Sequence, residues 1–198
     1  MARGPGAQRD ARRREICDAV LAVVDEAGIA AVSLTSVAAR AGVSAGRVQH
    51  YFPSRADLLE AAFDRANELA ADRITALAAD GEPRAVLTAV LTELVPHDRV
   101  TATHMRVRQS FTAQALIDER VAGRLRHAYA ELNARLAALV AHDVEAGAIH
   151  TAEPPAHVAA RFVALAEGLA YHVLIGTHPA DVARSQVLAG LEELYERR

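Results

Sequence analysis

The sequence has no lysine, no tryptophan, a single cysteine and only 4% aromatic residues. Each shortage closes a class of function. One cysteine, Cys17, can form neither an intrachain disulfide nor a thiolate metal cluster, so a disulfide-stapled module and a zinc finger are both excluded. It lies on a helix beside Ile16 and reads as a partly buried, inert thiol. No apolar run approaches the ~20 residues of a membrane-spanning helix. The first residues, rich in Gly, Ala and Arg, lack the apolar core of a signal peptide, so the protein is expected in the cytoplasm. No segment alternates with a period of two, so no strands are expected.

Catalytic signatures are missing as well. There is no Gly-rich phosphate loop and no nucleophile elbow. No Glu has a His three residues on, which a di-iron site in a helical bundle would need. Glu93–His97 and Glu153–His157 are i, i+4 pairs beside prolines and read as helix-end ion pairs. Eight of the nine histidines follow residue 96, but His142, His150 and His157 do not share one helix face at i, i+4. No metal, no cofactor and no enzymatic activity are expected.

What the chain has is Ala, Leu, Val and Arg. Hydrophobic residues make up 52% of 198, enough for one large or two small domains, and the aliphatic composition suits helices packed on helices. All 22 basic residues are Arg, which reads first as genome base composition. The net charge of −3 hides an asymmetry: residues 1–55 carry +3 and the remainder −6. A basic head suits phosphate, and an acidic body stays in solvent.

The informative stretch is Ser33–Phe52. Ser33 is a good N-cap. Leu34, Val37, Ala38 and Ala41 give a short helix one apolar side. Gly42 stands where that helix must stop with positive φ, Val43 plugs the corner, and Ser44 caps a second helix over about Ala45 to Tyr51. Only Val48 of that helix turns inward, leaving Arg47, Gln49, His50 and Tyr51 mostly outward. Two helices joined by a short Gly-containing turn form a helix-turn-helix, whose second helix fits a DNA major groove. An ordinary αα corner has the same spacing, but has no need for an exposed Arg-x-Gln-His-Tyr face.

From Arg12 to about Phe63 the chain resembles the DNA-binding domain of the TetR family of transcriptional regulators. The residues that carry the resemblance are Gly28, Val37-Ala38, Ala41-Gly42-Val43-Ser44, Gly46, Tyr51-Phe52, Pro53-Ser54-Arg55 and Leu58-Leu59. The family usually has Tyr where this chain has Gln49, and often Lys where it has Arg55. The DNA-contact set is then Ser33, Thr35, Ser44 and Ala45 at the helix openings, Arg47, Gln49, His50 and Tyr51 on the recognition helix, and Arg55 as a phosphate clamp. Double-stranded DNA with a palindromic operator is the expected partner.

Around this motif the expected fold is all-α, with about nine helices. Residues 1–11 read as a flexible arm whose Arg3, Arg9 and Arg12–Arg14 either contact DNA or are solvated. Residues 12–60 form the helix-turn-helix domain, with a first helix over about Arg12–Ala27, and 61–198 form a larger helical domain. A long helix from Pro53-Ser54 to about Ala79, capped by Ser54 with Asp57, joins the two. Five more helices follow, over about Pro83–Val95, Thr103–Leu116, Asp118–Glu145, Ala156–Ile175 and Ala180–Tyr195.

The last two helices are apolar around much of their circumference, which means burial on several faces. That suggests a homodimer interface, expected at Phe162, Leu165, Leu169, Leu188, Leu191 and Tyr195; a monomer core is the other reading. The resemblance implies that these helices build a four-helix bundle between subunits. It also implies a small-molecule pocket among the fourth to eighth helices that controls DNA affinity. Candidate lining residues are His104, Met105, Phe111, Gln114, Tyr129, Phe162, Tyr171 and His172. The leading expectation is a ligand-released repressor; the alternatives are a constitutive DNA-binding protein without a ligand and a helical-bundle enzyme.

Overall fold

The computed structural model describes residues 5–196, and all regular structure among them is helical. The order is α1 (Pro5–Ala27), a 3-10 turn (Ile29–Ala31), α2 (Leu34–Ala41), α3 (Ala45–Tyr51), α4 (Arg55–Leu77), α5 (Pro83–Glu93), α6 (Arg99–Ala115), α7 (Glu119–Glu145), α8 (Pro155–Leu174) and α9 (Ala180–Glu196).

Local chemistry explains the boundaries. Ser33 accepts from the Ser36 amide while Ser36 answers back, a reciprocal cap on α2. Gly42 ends α2 at φ 65°, a left-handed conformation that costs glycine nothing. Ser44 accepts from the Arg47 amide at the start of α3. The expected Ser54–Asp57 box opens α4, with the Ser54 amide donating to Asp57 at 2.9 Å.

Two starts differ from expectation. Helix α1 begins at Pro5 rather than Arg12, so the expected arm is helical wherever it is described. Proline suits the first helical position, and Ala7, Gln8, Arg9 and Ala11 are strong helix formers. Arg3 lies outside the described residues. Helix α6 begins at Arg99, before Thr103, because Asp98 and Thr101 form a capping box across what looks like a break after Pro96.

Two cores hold the helices together. The first joins Ile16, Val20 and Val24 of α1, Val37 of α2, Val48 of α3 and Leu58, Leu59, Ala62 and Phe63 of α4. It continues into Val107 and Phe111 of α6 and Val121 and Leu125 of α7. Phe63 and Phe111 stack with ring centres 4.5 Å apart. The second core packs Leu87 and Leu91 of α5, Leu136 and Val140 of α7, Phe162, Ala166 and Leu169 of α8, and Val187, Leu191 and Leu194 of α9.

Ion pairs reinforce the junction between the halves. Asp25 of α1 accepts from Arg99 of α6 at 2.9 Å. Glu60 and Asp64 of α4 take Arg120 and Arg124 of α7. Helix α4 is therefore packed into the head at one end and into the body at the other.

Candidate nucleic-acid interface and effector cavity

Helix α3 is held from behind. Val48 is fully buried and Phe52 nearly so, and the Arg13 guanidinium covers the Phe52 ring at 4.7 Å. This fixes which way the short helix faces. Arg47, Gln49 and His50 are exposed and Tyr51 is half-buried, its ring edge-on to His50 at 5.4 Å. Ser33, Thr35, Ser44 and Ala45 are exposed at the helix openings. Eight of the nine DNA candidates thus occupy α2, α3 and their caps. The ninth, Arg55, is placed differently. Its Nε donates to the Val32 carbonyl and its Nη2 to the Ile29 carbonyl, both at 2.9 Å. The guanidinium pins the loop between α1 and α2, a positioning role, while the residue itself stays exposed beside the reading surface.

The second domain encloses a cavity of about 390 Å³ among α4, α5, α6 and α7. Its walls are aliphatic, with Ala70, Ile74, Val90, Leu94, Met105 and Leu132 among the lining residues. Two partly buried charge clusters border it. In one, Arg73 of α4 donates Nε–H to Glu93 of α5 at 2.9 Å and its Nη2 approaches His104 Nδ1 of α6 at 3.2 Å. Burial, with Arg73 beside it, holds the His104 pKa down to about 4, so the imidazole is neutral at pH 7. In the other, Arg108 of α6 donates to Glu167 of α8 at 2.7 Å, and the Tyr129 hydroxyl of α7 donates to the same carboxylate. Burial raises the Tyr129 pKa to about 12, which keeps that hydroxyl a donor.

Of the eight sequence candidates for a pocket, His104 and Met105 line the cavity. Phe111 and Tyr129 stand behind it, against Phe63 and Glu167. The others do not converge there. Phe162 is in the second core, its ring edge 3.3 Å from where a Cβ on Gly190 would stand. Tyr171 is exposed on α8, beside an equally exposed His172 whose Nδ1 lies 3.0 Å from the Thr177 hydroxyl. Gln114 is half-buried near the end of α6 and does not line the cavity.

Arg73, Arg108 and Glu167 do not stand out in the sequence, and the expected Glu93–His97 and Glu153–His157 pairs are not formed: Glu93 takes Arg73, and Glu153 takes Arg161. A signal existed: Glu93 follows Val86 and Val90 at helical spacing, a charge on an apolar stripe.

The expected interface also needs correcting. Phe162, Leu169 and Leu191 are buried within the chain itself, and the half-buried Tyr195 donates its hydroxyl to the buried Asp143. Leu188 is half-buried and Leu165 is exposed. On this face the uncovered large apolar groups are Leu165 and Tyr171 of α8, Ile175 at its C-terminal cap and Val182 of α9; Leu77, Val100, Leu116 and Ile117 are exposed elsewhere. Cys17 is buried and its thiol is pushed up to about 11 by that burial, so it is unreactive. Among the described residues no group of three or more His, Cys, Asp or Glu could hold a metal ion. No described helix is long and apolar enough to cross a membrane.

An exposed recognition helix braced by a three-helix head, followed by a helical body with its own cavity, defines a helix-turn-helix regulator. Comparison with known proteins agrees. The family model for bacterial regulatory proteins of the tetR family matches residues 16–62, and that for the BetI-type transcriptional repressor C-terminal domain matches residues 83–196. The chain belongs to the TetR family of transcriptional regulators, with a BetI-type second domain.

The HTH-type transcriptional regulator BetI of Burkholderia ambifaria is 36% identical over 112 residues, 56% of this chain and 58% of that protein. The BetI of Burkholderia thailandensis is 36% identical over 121 residues, 60% of this chain and 62% of that one. These matches span less than two thirds of either relative. A TetR-family regulator from a Rhodococcus species shares the fold with a TM-score of 0.80, at 24% identity over 94% of this chain and all of that one. A regulator from Saccharomonospora viridis, solved in complex with choline, shares it with a TM-score of 0.82, at 23% identity over 96% of this chain and all of that one.

Proposed function

We propose that the protein is a cytoplasmic, homodimeric repressor that grips a palindromic operator through two copies of α3 and lets go when a small molecule fills the cavity. One observation carries this reading. Helix α4 is capped onto the head immediately after α3 and, about four to five turns later, supplies Ala70 and Ile74 to the cavity wall and Arg73 to the Glu93 that lines it. A ligand there pushes directly on the helix that holds the head. It shifts the equilibrium only by its unequal affinity for the two head arrangements.

The dimer follows from the uncovered face of α8 and α9. Leu165, Tyr171, Ile175 and Val182 are each 39–52% exposed. Placed against their own copies across a two-fold axis, they become buried. Two heads then read half-sites roughly 34–36 Å apart, or a multiple of that. Arg47, Gln49 and His50 read base edges, while Thr35 and the cap hydroxyls of Ser33 and Ser44 meet phosphates. Arg55 supports this surface through the loop it pins.

Choline does not carry over from the Saccharomonospora protein. Quaternary ammonium sites rely on open aromatic faces. Among the residues lining this cavity Phe63 is the one phenyl ring, and it is stacked on Phe111.

The test is selection of bound duplexes from a random pool, followed by fluorescence anisotropy with the selected site. A palindromic preference that is lost in a monomeric Leu165→Glu variant is the expected result. Equal binding to every duplex at low salt would sink the proposal, and a Leu165→Glu protein that still sediments as a dimer would move the interface.

A further inference from the structure

We infer that the cavity selects an effector with an aliphatic body and an oxygen acceptor at its head, a carboxylate or carbonyl, read by the Nε2–H of His104. The inference deepens the proposed function and rests on the cavity being the effector site.

The tautomer comes from the partner. A guanidinium only donates hydrogen bonds. Arg73 Nη2 faces His104 Nδ1 at 3.2 Å, so Nδ1 is the acceptor and the proton sits on Nε2. His104 is 91% buried and lines the cavity. Its Nε2 makes no hydrogen bond among the described residues and is not fully sealed off. The ring is therefore an oriented donor on the cavity wall, and Arg73, itself bonded to Glu93 of α5, holds it in place from α4.

The charges around the cavity decide against a cation. Glu93 is engaged by Arg73, and Glu167 by Arg108 and Tyr129. The remaining lining carboxylate, Glu131, is exposed at the rim, with His127 at 3.4 Å. A cationic ligand finds no uncommitted carboxylate inside. An acceptor finds His104 there and Arg135 at the rim. The aliphatic walls and the volume of about 390 Å³ suit a medium-length hydrocarbon tail.

The experiment is calorimetric titration of the full chain with octanoate, methyl octanoate and octyltrimethylammonium. At least one of the two acceptor compounds should bind, with the ammonium roughly tenfold weaker or silent. Octanoate alone assigns the head to a carboxylate; octanoate and ester alike assign it to a carbonyl. His104→Leu should weaken the acceptor compounds roughly tenfold, the scale of one lost hydrogen bond, and His104→Gln, which keeps an N–H, should lose less. If His104→Leu does not fold, the ranking of the three probes and the Gln variant still decide. Tighter ammonium binding, binding unaffected by loss of the His104 donor, or binding of none of the three overturns the acceptor assignment. In the last case, a protein that still binds its selected operator keeps the regulator reading and loses only the effector class. A protein that binds neither probe nor DNA loses both.

Discussion

The outward face of α3 and the cavity under α4 use the same residue types in opposite ways. On α3, Arg47, Gln49 and His50 stand exposed and unengaged, ready for a partner that brings its own charges. Around the cavity, Arg73, Arg108, Glu93 and Glu167 are matched to one another inside the protein. An exposed polar group loses little while it waits, because water satisfies it. A buried one must find its partner during folding. The first surface is therefore tunable by mutation without loss of structure, and the second is not.

The sharpest way to break that contrast is Arg73→Ala. It leaves the Glu93 carboxylate, 5% exposed, without its cation, and should cost roughly 3 kcal/mol of stability in a denaturant titration. A loss below ~1 kcal/mol would mean that water reaches Glu93.

Acid should act on the same cluster. The native His104 pKa of about 4 lies below the ordinary 6.5, so the unfolded chain binds the extra proton first. Its contribution is absent above pH ~6.5 and turns against folding as pH falls toward 4, by roughly 3 kcal/mol at the end of that range. In His104→Gln the stability curve between those pH values should be flatter than in the wild type. Parallel curves would show that the ring is solvated.

On the head, Arg47→Ala and Gln49→Ala should each cost about 1–3 kcal/mol in operator affinity and relax specificity, with melting temperature unchanged. A shift in melting temperature would show that these side chains are structural after all. Arg55→Ala should do the reverse on a smaller scale. Losing its bonds to Val32 and Ile29 should lower stability by about 1 kcal/mol and weaken all duplexes alike through the loosened loop. An effect on DNA alone, with stability unchanged and a flatter salt dependence, would restore the phosphate role.

How far the sequence could be read follows the same division. The helix-turn-helix is legible because its determinants are local: Ser33 and Ser44 as caps, Gly42 at positive φ, Val48 as the single inward residue. The Ser54–Asp57 box is local too. The Asp98–Thr101 box is equally local, but Pro96 masked it. For Phe162, Leu169 and Leu191 the sequence leaves a subunit interface and a monomer core both open, because helical periodicity reports that a side chain is buried, not what buries it. The place of Arg55 in the first turn of α4 is visible in the sequence and suggests a clamp, whereas the Val32 and Ile29 carbonyls it reaches lie more than twenty residues away and are not.

The sequence by itself determined the helical content, the caps and the presence of an exposed reading helix, since these depend on residues within one or two turns of each other. Only the tertiary structure decided which apolar faces stay uncovered, that Arg55 is engaged, and that Arg73, Glu93 and His104 meet beside a cavity. Those outcomes depend on side chains brought together from separate helices, and no periodicity in a single segment encodes such meetings.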